Sequence, residues 1–233
     1  MRRRSLLTAA LTVPLGAAGA VGLQSTAQAA TWSSTERFGS WRDGAYTVNN
    51  HVWGDGHGPQ SIWANSYSNW GVWANHPNTG GVKSYPHVSY ILGRDVWSMG
   101  NVSSNHNVTV PSGSGLAYCT TYDVWGNGHD YEIMIWTQWQ GPVGPIGSYV
   151  TDVNLGSRAW AYYQGSNGSN AVHSFLARNH TTDSWVDITA HAQWLVSQGR
   201  MPQVRIDEIA FGFEITSSAG GHNFNCNSYS LWT

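Results

Sequence analysis

Hydrophobic and polar residues alternate in short runs along most of this chain. The runs are rich in Val, Ile, Tyr, Trp and Thr, and clusters of Gly, Asn, Ser and Pro separate them. This spacing predicts many short strands, which is typical of an all-β sandwich or barrel. The predicted strands are Ala45–Val52, Gln60–Ala64, Val88–Ile91, Asn107–Val110, Ala117–Trp125, Tyr131–Trp139, Ala159–Gln164, Ala171–Ala177, Val204–Ile215 and Asn225–Trp232.

One segment has a helical period instead. Between Asp187 and Gly199, apolar residues recur at Ile188, Ala192 and Leu195, the spacing of one face of an amphipathic helix. Asp187 is a suitable N-cap and Gly199 a suitable C-terminal stop. We therefore predict one helix, at about residues 187–199, packed on a large antiparallel sheet.

The N-terminus has the features of an export signal. Three arginines at positions 2–4 precede an apolar run over 6–23, and Ala27-Gln28-Ala29 has the form of a cleavage site. Arg3-Arg4-Ser5-Leu6-Leu7 also fits the twin-arginine pattern of bacterial export. A membrane anchor is the alternative, but Pro14 interrupts the run and a cleavage motif ends it. We predict a signal peptide over 1–29, a single catalytic domain over 30–233, and a secreted monomer with no membrane association after processing.

The composition limits the partners of this domain. Only 10% of the residues are charged, the formal net charge is −2, and the chain has 14 Trp. Soluble domains average about 25% charged residues, so the sequence excludes a coiled coil, an acidic disordered tail and a protein that coats nucleic acid. Many indoles on a weakly charged chain favour a neutral, hydroxylated partner such as a sugar polymer.

The cysteines and histidines do not suggest a metal site. The two cysteines, Cys119 and Cys226, lack the C-x-x-C spacing of zinc sites, and the ten histidines are scattered. We predict no cofactor and no metal. In an exported protein the two cysteines are expected to form a disulfide, with two buried thiols as the alternative.

Two glutamates lie in the middle of strongly apolar predicted strands. Alternation places Glu132 on one face with Met134 and Trp136, and Glu214 on one face with Gly212, a residue that leaves room for a ligand or a close backbone. Mid-strand glutamates are disfavoured unless that face is solvated and functional. A carboxylate pair across a sugar ring is what glycosidic cleavage requires. The alternative is that both are ordinary solvated residues or partners of an arginine.

Six motifs, in order and across nearly the whole domain, resemble glycoside hydrolase family 12, the β-jelly-roll endoglucanases and xyloglucanases. The strand EIMIW followed by PIG is the most specific of them, whereas GFE alone is weak. The matching segments are Tyr46–Gly54, Lys83–Pro86 (KSYP), Tyr122–Trp125 (YDVW), Glu132–Trp136 (EIMIW), Gly144–Gly147 (GPIG) and Gly212–Glu214 (GFE).

The resemblance implies a β-jelly-roll sandwich of two antiparallel sheets with an open substrate cleft, and it assigns catalytic roles. Glu132 would be the nucleophile, Glu214 the general acid and base, and Asp123 a hydrogen-bonding neighbour of the nucleophile. The family is retaining, which implies a carboxyl separation of about 5–5.5 Å, a raised pKa for Glu214 and an ionised Glu132. Substrate contacts would come from Trp53, Asn50, Met134, Trp136, Tyr85 and Pro145.

The chain also departs from the family pattern. His51 stands where a second Asn is common, and Ile215 follows the acid/base glutamate where many members soon have a Trp. The cysteines of many bacterial members lie in the first third of the chain, unlike Cys119 and Cys226. These differences concern substrate contacts and the disulfide, and they leave Glu132 and Glu214 in place.

Together these features predict a secreted, endo-acting, retaining hydrolase that cleaves β-1,4 bonds in cellulose, mixed-linkage glucan or xyloglucan. A non-catalytic, lectin-like jelly roll and a related jelly-roll xylanase are the alternatives. Of the remaining residues, we expect Glu208 to be solvated and His129 to lie in a loop. Trp160, Trp185 and Trp194 are expected mainly in the core, whereas the sequence does not sort the tryptophans between 63 and 97 into cleft or loop.

Overall fold

The computed structural model describes residues 29–233, so nearly all of the predicted export signal lies outside the described residues. Most of this range is β-structure, with a single-turn 3-10 helix at Val96–Ser98 and one α-helix, α1, at Ile188–Ser197. The strands are β1 Trp32–Ser34, β2 Ser40–Asp43, β3 Tyr46–Asn49, β4 Gln60–Ser66, β5 Asn69–Ala74, β6 His87–Asp95, β7 Ser103–Thr109, β8 Leu116–Gly126, β9 Tyr131–Gln140, β10 Ser148–Leu155, β11 Arg158–Ser166, β12 Ala171–Ala177, β13 Asp183–Asp187, β14 Arg205–Ser218 and β15 His222–Trp232.

The strands form two sheets that pack into a sandwich. The six-stranded sheet has the order β1-β4-β5-β15-β7-β13, and the nine-stranded sheet has the order β10-β11-β12-β9-β8-β14-β6-β3-β2. All strand pairs are antiparallel except β9 and β12, which are parallel. The predicted all-β jelly-roll sandwich with one helix is confirmed.

The helix matches its predicted limits. The Asp187 carboxylate accepts a hydrogen bond of 2.8 Å from the Ala190 backbone N–H, so Asp187 is the N-cap. Gly199 has a φ of 62° and donates its N–H to the Val196 carbonyl at 3.0 Å, which ends the helix as expected of glycine. Ile188 and Leu195 face the core. No helix within residues 29–233 is long and apolar enough to span a membrane.

The central strands β8, β9 and β14 give one face to the core between the sheets. Tyr122, Ile135, Phe211 and Phe213 are completely buried there, and Phe211 stacks on Tyr229 of the opposite sheet at 5.3 Å between ring centroids. Because side chains alternate along a strand, the residues between these core positions must point to the other face of the sheet. That other face is where the predicted catalytic residues lie.

The predicted disulfide between Cys119 and Cys226 is wrong, because both cysteines are buried free thiols. Cys226 belongs to the main core between the sheets, whereas Cys119 belongs to a separate apolar cluster with Met134 and Trp136 on the other face of the nine-stranded sheet. A sheet therefore separates the two thiols. The prediction rested on export and on the number of cysteines, which do not show on which face of a sheet each residue lies.

The tryptophans divide between core and surface in a way that the sequence did not fully show. Trp160 is buried and Trp194 is partly buried against the core, as predicted. Trp185 was expected in the core but is 45% exposed, because it points outward from the edge strand β13. Among the unsorted tryptophans, Trp70 is completely buried, whereas Trp73 is 38% exposed on the outer face of the six-stranded sheet.

Candidate active site

Three adjacent strands carry the three predicted catalytic carboxyl groups on one face. Asp123 of β8 is opposite Met134 of β9 and Ala210 of β14, so its carboxyl group lies between the two neighbouring strands. Glu132 is opposite Trp125, and Glu214 is opposite Cys119. Alternation therefore places both glutamates and the aspartate on the face that points away from the core, as the sequence predicted.

This face forms the floor of a cavity of about 400 Å³. The cavity contains both predicted catalytic glutamates, Asp123 and two tryptophans. Its lining residues are His51, Trp53, Tyr85, His87, Asp123, Trp125, His129, Glu132, Asn167, Glu208, Ala210 and Glu214.

The sheet must be strongly curved for both glutamates to reach this cavity. Along β8, the position opposite Glu132 is six residues from the position opposite Glu214, which in a flat sheet would separate them by about 20 Å. Register shifts interrupt the β8–β9 pairing near Thr121 and the β8–β14 pairing at both ends. Such bulges bend strands. We therefore attribute the curvature that brings Glu132 and Glu214 to one cavity to the bulges that flank the site.

Gly212 allows β14 to approach β6 beside the site. A Cβ atom at this position would collide with the Pro86 carbonyl oxygen and would lie 2.7 Å from the His87 Cα atom. The N–H of Phe213 donates to the same Pro86 oxygen at 3.1 Å. Of the two explanations offered for this glycine by the sequence, the structure supports close backbone packing.

Glu132 is positioned by a residue that the sequence analysis missed. The Asn170 side chain donates a hydrogen bond of 2.9 Å to Glu132 Oε2. Asn170 is buried, and it lies in a turn where the Asn167 side chain accepts the backbone N–H groups of Ser169 and Asn170 at 2.9 and 3.0 Å. Burial raises the pKa of Glu132, while the Asn170 hydrogen bond and the nearby His129 oppose that rise by stabilising the carboxylate.

The other two carboxyl groups are held towards their neutral forms. Burial, followed by the negative charge of Glu132, raises the pKa of Glu214 to about 7. Burial and the charges of Glu132 and Glu214 raise the pKa of Asp123 well above its usual range, against a weak opposing hydrogen bond of 3.4 Å from the Thr121 hydroxyl. Three neighbouring carboxyl groups do not readily ionise together, because each negative charge raises the pKa of the others. One group can therefore act as the proton donor while another is the anion.

The predicted substrate-binding residues are distributed over three environments. Trp53 is 41% exposed in the cavity wall, and Tyr85 lines the cavity while its hydroxyl donates to the Thr121 carbonyl at 3.3 Å. Met134 and Trp136 lie in the apolar cluster on the cleft side of the sheet, 4% and 2% exposed. Pro145 is half-buried in the loop after β9 and is not among the residues that line the cavity.

Asn50 does not reach the cleft, contrary to its predicted role. It is completely buried, where its amide donates to the Glu36 carbonyl and its side-chain oxygen accepts from Gln60, both at 2.8 Å. The next residue, His51, takes the place in the cavity wall with a left-handed φ of 40°. The backbone turns at this point, so the residue that the family resemblance indicated points away from the cleft.

Two neutral histidines form part of the wall beside Trp53. The His51 ring lies 4.8 Å from the Trp53 ring and 5.4 Å from the His87 ring, centroid to centroid. Burial lowers the pKa of His51 and lowers the pKa of His87 to about 3. This wall is therefore uncharged near neutral pH, a surface suited to a neutral ligand.

Glu208, which was expected to be solvated, lines the cavity, and so does His129, which lies in a loop as expected. His129 has a left-handed φ of 77° in the turn before β9, and its ring packs edge-on against Trp125 at 4.8 Å. Glu208 also lines a neighbouring cavity of about 350 Å³ that shares His51 and His87 with the first. The two cavities therefore adjoin each other on this face of the sheet.

Within residues 29–233, no group of three or more His, Cys, Asp or Glu side chains is arranged to hold a metal ion. The chemistry available to the site is that of carboxyl groups acting as acid, base or nucleophile in a cavity with aromatic walls.

Comparison with known proteins gives a consistent result. The profile of glycosyl hydrolase family 12 matches residues 44–232. The xyloglucan-specific endo-beta-1,4-glucanase A of Emericella nidulans is 31% identical over 223 residues, which cover 84% of this chain and 90% of that protein. The xyloglucan-specific endo-beta-1,4-glucanase 1 of Phytophthora nicotianae is 29% identical over 205 residues, covering 77% and 85%.

Solved structures agree with the sequence relatives. The xyloglucanase domain of NopAA from Sinorhizobium fredii, determined with cellobiose, superposes with a TM-score of 0.82 at 36% identity, covering 87% of this chain and 98% of that one. Endoglucanase 3 of Trichoderma harzianum superposes with a TM-score of 0.78 at 26% identity, covering 86% and 96%.

Proposed function

Because this chain belongs to glycosyl hydrolase family 12 and is a glycoside hydrolase of the endo-β-1,4-glucanase type, we propose that it cleaves its substrate with retention of configuration, using Glu132 and Glu214. The observation that carries this proposal is that the two glutamates share one cavity in unequal environments. Asn170 stabilises the Glu132 carboxylate, whereas burial beside Glu132 keeps Glu214 protonated up to a pH of about 7.

In the first step, Glu132 attacks the anomeric carbon of the sugar while Glu214 transfers its proton to the glycosidic oxygen. The C–O bond to the leaving chain breaks, and a covalent ester joins the sugar to Glu132. Loss of the Glu132 negative charge in this ester removes one of the two causes that raise the pKa of Glu214. Glu214 thereby becomes a better anion at the moment when it must act as a base.

In the second step, Glu214 removes a proton from a water molecule that attacks the same anomeric carbon. The ester bond to Glu132 breaks, the sugar leaves with its original β-configuration, and both glutamates return to their starting states. Asp123 acts as a positioning residue in this scheme. Its raised pKa favours the neutral form, which limits the negative charge of the site.

The substrate proposed for this site is a β-1,4-glucan, with xyloglucan among the polymers cleaved. The neighbouring cavity of about 350 Å³ adjoins the catalytic cavity and provides room for a chain that extends beyond the cleaved bond. Several relatives carry the name xyloglucan-specific endo-β-1,4-glucanase. Parallel reducing-sugar assays on xyloglucan, barley glucan, carboxymethylcellulose and xylan test this substrate assignment, and activity on xylan alone would contradict it.

The nucleophile assignment is tested by Glu132→Gln, with Glu208→Gln as the matched control. Both changes remove one carboxylate from a glutamate that lines the cleft, but of the two only Glu132 accepts the hydrogen bond from Asn170. We expect Glu132→Gln to lower kcat/KM on soluble β-glucan by about 10⁴-fold or more, and Glu208→Gln to lower it by less than about tenfold. Equal losses in the two variants would refute the assignment.

The retaining mechanism has its own direct test. Proton NMR of the first products formed from a soluble β-glucan is expected to show the β-anomer before mutarotation. An initial α-anomer would indicate single displacement by water and would remove Glu132 from the role of nucleophile while leaving the endo-glucanase activity in place.

Export is also proposed, on the basis of the N-terminal pattern of arginines, apolar residues and A-x-A motif. Expression of the full chain in a bacterial host, followed by mass spectrometry of protein from the medium, is expected to give a mature N-terminus at Ala30. An intact Met1 or Arg2 on the exported protein would contradict the proposed cleavage.

A further inference from the structure

A second surface with exposed indoles lies on the opposite side of the molecule from the cleft. It is the outward face of the six-stranded sheet at β4, β5, β15 and β7, which we call the outer platform. Outward positions in this platform carry only Ser, Thr, Asn, Gly and Trp. Charged side chains lie at its margins, at Asp183 on the edge strand β13 and at Glu36 and Arg37 near Trp63 and Trp73.

Of the three tryptophans of the outer platform, Trp232 is at the end of β15, and the other two lie over glycines. Trp63 is directly opposite Gly71, and a Cβ atom added to Gly71 would lie 2.9 Å from Trp63 Cζ2. A Cβ atom added to Gly221 would lie 2.7 Å from Trp73 Cζ2. Each ring therefore uses the space that a missing side chain leaves, so that the indole lies low against the sheet instead of standing on it.

The register places amide and hydroxyl groups beside these rings. One row across the strands runs through Trp63, Gly71, Asn225 and Thr109. The next row, two residues away, pairs Trp73 with Asn223. At a rise of about 3.3 Å per residue, the rows are about 7 Å apart. A hydroxylated ring stacked on either indole would therefore lie within reach of a side-chain amide.

The polar groups of the outer platform are held in place by one another. Asn227 donates to Asn107 Oδ1 at 2.8 Å and to Thr109 Oγ1 at 2.9 Å, and Asn107 donates to Asp183 at 3.1 Å. Asn65 donates to Asn69 Oδ1 at 2.8 Å. Side chains that are already ordered lose less conformational entropy when a ligand binds.

We propose that the outer platform is a second binding site for the neutral β-glucan polymer, separate from the catalytic cleft. Flat indoles provide stacking area at low entropic cost and the amides provide hydrogen bonds to hydroxyl groups. The lack of charge matches a neutral polysaccharide and gives no attraction for nucleic acid or for a charged protein surface. The inference rests on the proposed function for the identity of the polymer.

The position of the outer platform affects how the enzyme would act on insoluble substrate. Because the platform and the cleft are on opposite sides of the sandwich, a single straight chain cannot occupy both. The platform would instead hold the enzyme on a neighbouring chain of the same fibre and raise the local concentration of substrate at the cleft. Hydrolysis of short soluble oligosaccharides gains nothing from this arrangement.

The test uses the double variant Trp63→Ala/Trp73→Ala and the control Trp97→Ala. Trp97 is 51% exposed and lies in the 3-10 turn, away from the outer platform. Binding to swollen cellulose is measured in the inactive Glu132→Gln background, with an excess of cellotetraose to occupy the cleft. We expect the double variant to bind at least about tenfold more weakly and Trp97→Ala to bind as the parent does.

Activity is then measured in variants that retain Glu132. The double variant is expected to hydrolyse cellohexaose within about twofold of wild type and swollen cellulose several-fold more slowly. Because Trp63 is half-buried, a second variant, Asn223→Glu, adds a charge at an exposed position opposite Trp73 without removing an indole. We expect it to weaken binding about threefold while the thermal unfolding temperature stays unchanged.

Three results would overturn the proposal. The first is undiminished binding by a folded double variant, and the second is an equal loss in Trp97→Ala, which would indicate non-specific adsorption through any exposed indole. The third is a wild-type dimer in sedimentation analysis that the double variant abolishes, because the platform would then be an interface between copies. Wild-type hydrolysis of cellohexaose in the same series separates these results from a failure of the proposed function.

Discussion

The cleft and the core of this protein both bury ionisable groups, but the buried carboxyl groups with raised pKa values lie in the cleft. The cleft holds the carboxyl groups of Glu132, Glu214 and Asp123, whose pKa values are raised by burial and by one another. The core holds histidines such as His106 and His191, whose pKa values burial lowers to about 3 and about 4. Burial favours the neutral form in both regions.

The difference lies in what the neutral form does. In the core, His106 lies 2.8 Å from the Tyr122 hydroxyl and 3.2 Å from the Thr137 hydroxyl, and its ring stacks on Phe211. It is a packed hydrogen-bonding partner that never needs to change its charge. In the cleft, neutral Glu214 holds the proton that the proposed mechanism transfers to the glycosidic oxygen. The same desolvation therefore supports structure in one region and chemistry in the other.

The largest effect is expected from replacing Glu214 with a side chain that is neutral but has no transferable proton. Glu214→Gln keeps a neutral side chain but cannot transfer a proton, so we expect kcat/KM on soluble β-glucan to fall by about 10² to 10⁴-fold. In wild type, activity requires protonated Glu214 and should decline as the pH rises through about 7. A pH profile of kcat/KM measures both effects, and an unchanged high-pH limb in Glu214→Gln would contradict the assignment.

A smaller effect is expected from Asn170, which makes the environments of the two glutamates unequal. Asn170→Ala removes the 2.9 Å hydrogen bond to Glu132 Oε2. A hydrogen bond to a charged group contributes about 1.5–3 kcal/mol, so kcat/KM should fall by about ten- to a hundredfold. Since the lost bond favours the carboxylate, the low-pH limb of the profile should move to higher pH.

Ser169→Ala, in the same turn, is the control for Asn170. Ser169 is exposed and takes part in the turn through its backbone N–H, so this change should leave both the rate and the pH profile close to wild type. If Asn170→Ala lowered the rate without moving the low-pH limb, Asn170 would be supporting the loop and not the charge of Glu132.

The smallest effect concerns stability, where the two regions are expected to respond to pH with opposite signs. The pKa of Glu214 is raised from 4.5 to about 7, so the unfolded state loses a proton that the folded state keeps, and this group destabilises the fold as the pH rises through that window. The pKa of His106 is lowered from 6.5 to about 3, so it destabilises the fold as the pH falls below 6.5.

Urea unfolding at several pH values between 4.5 and 7 checks these signs. Glu214→Gln should be more stable than wild type at pH 7 by about 1–3 kcal/mol. His106→Gln should reduce the loss of stability below pH 6.5 by at most about 1.4 kcal/mol per pH unit. If both variants changed the pH dependence in the same direction, the contrast between cleft and core would be wrong.

Local patterns in the sequence determined much of this protein. Alternation along β9 and β14 was enough to place Glu132 and Glu214 on the face away from the core, because the side-chain period of a strand is fixed by the backbone. The helix was equally predictable, since Asp187 and Gly199 act on their own neighbours. Strands such as β10 were missed because this mostly exposed edge strand has a register shift between Tyr149 and Thr151, which breaks its apolar period.

Only the tertiary structure decided which distant residues meet. The parallel pairing of β9 with β12 brings Asn170 to Glu132 across 38 residues of sequence, and the left-handed turn at His51 exchanges Asn50 for His51 in the cleft. The curvature that brings Glu214 to Glu132, and the sheet that separates Cys119 from Cys226, are likewise set by packing. Periodicity determines the direction of a side chain along one strand, but distances between strands depend on twist, bulges and register, which the whole fold sets together.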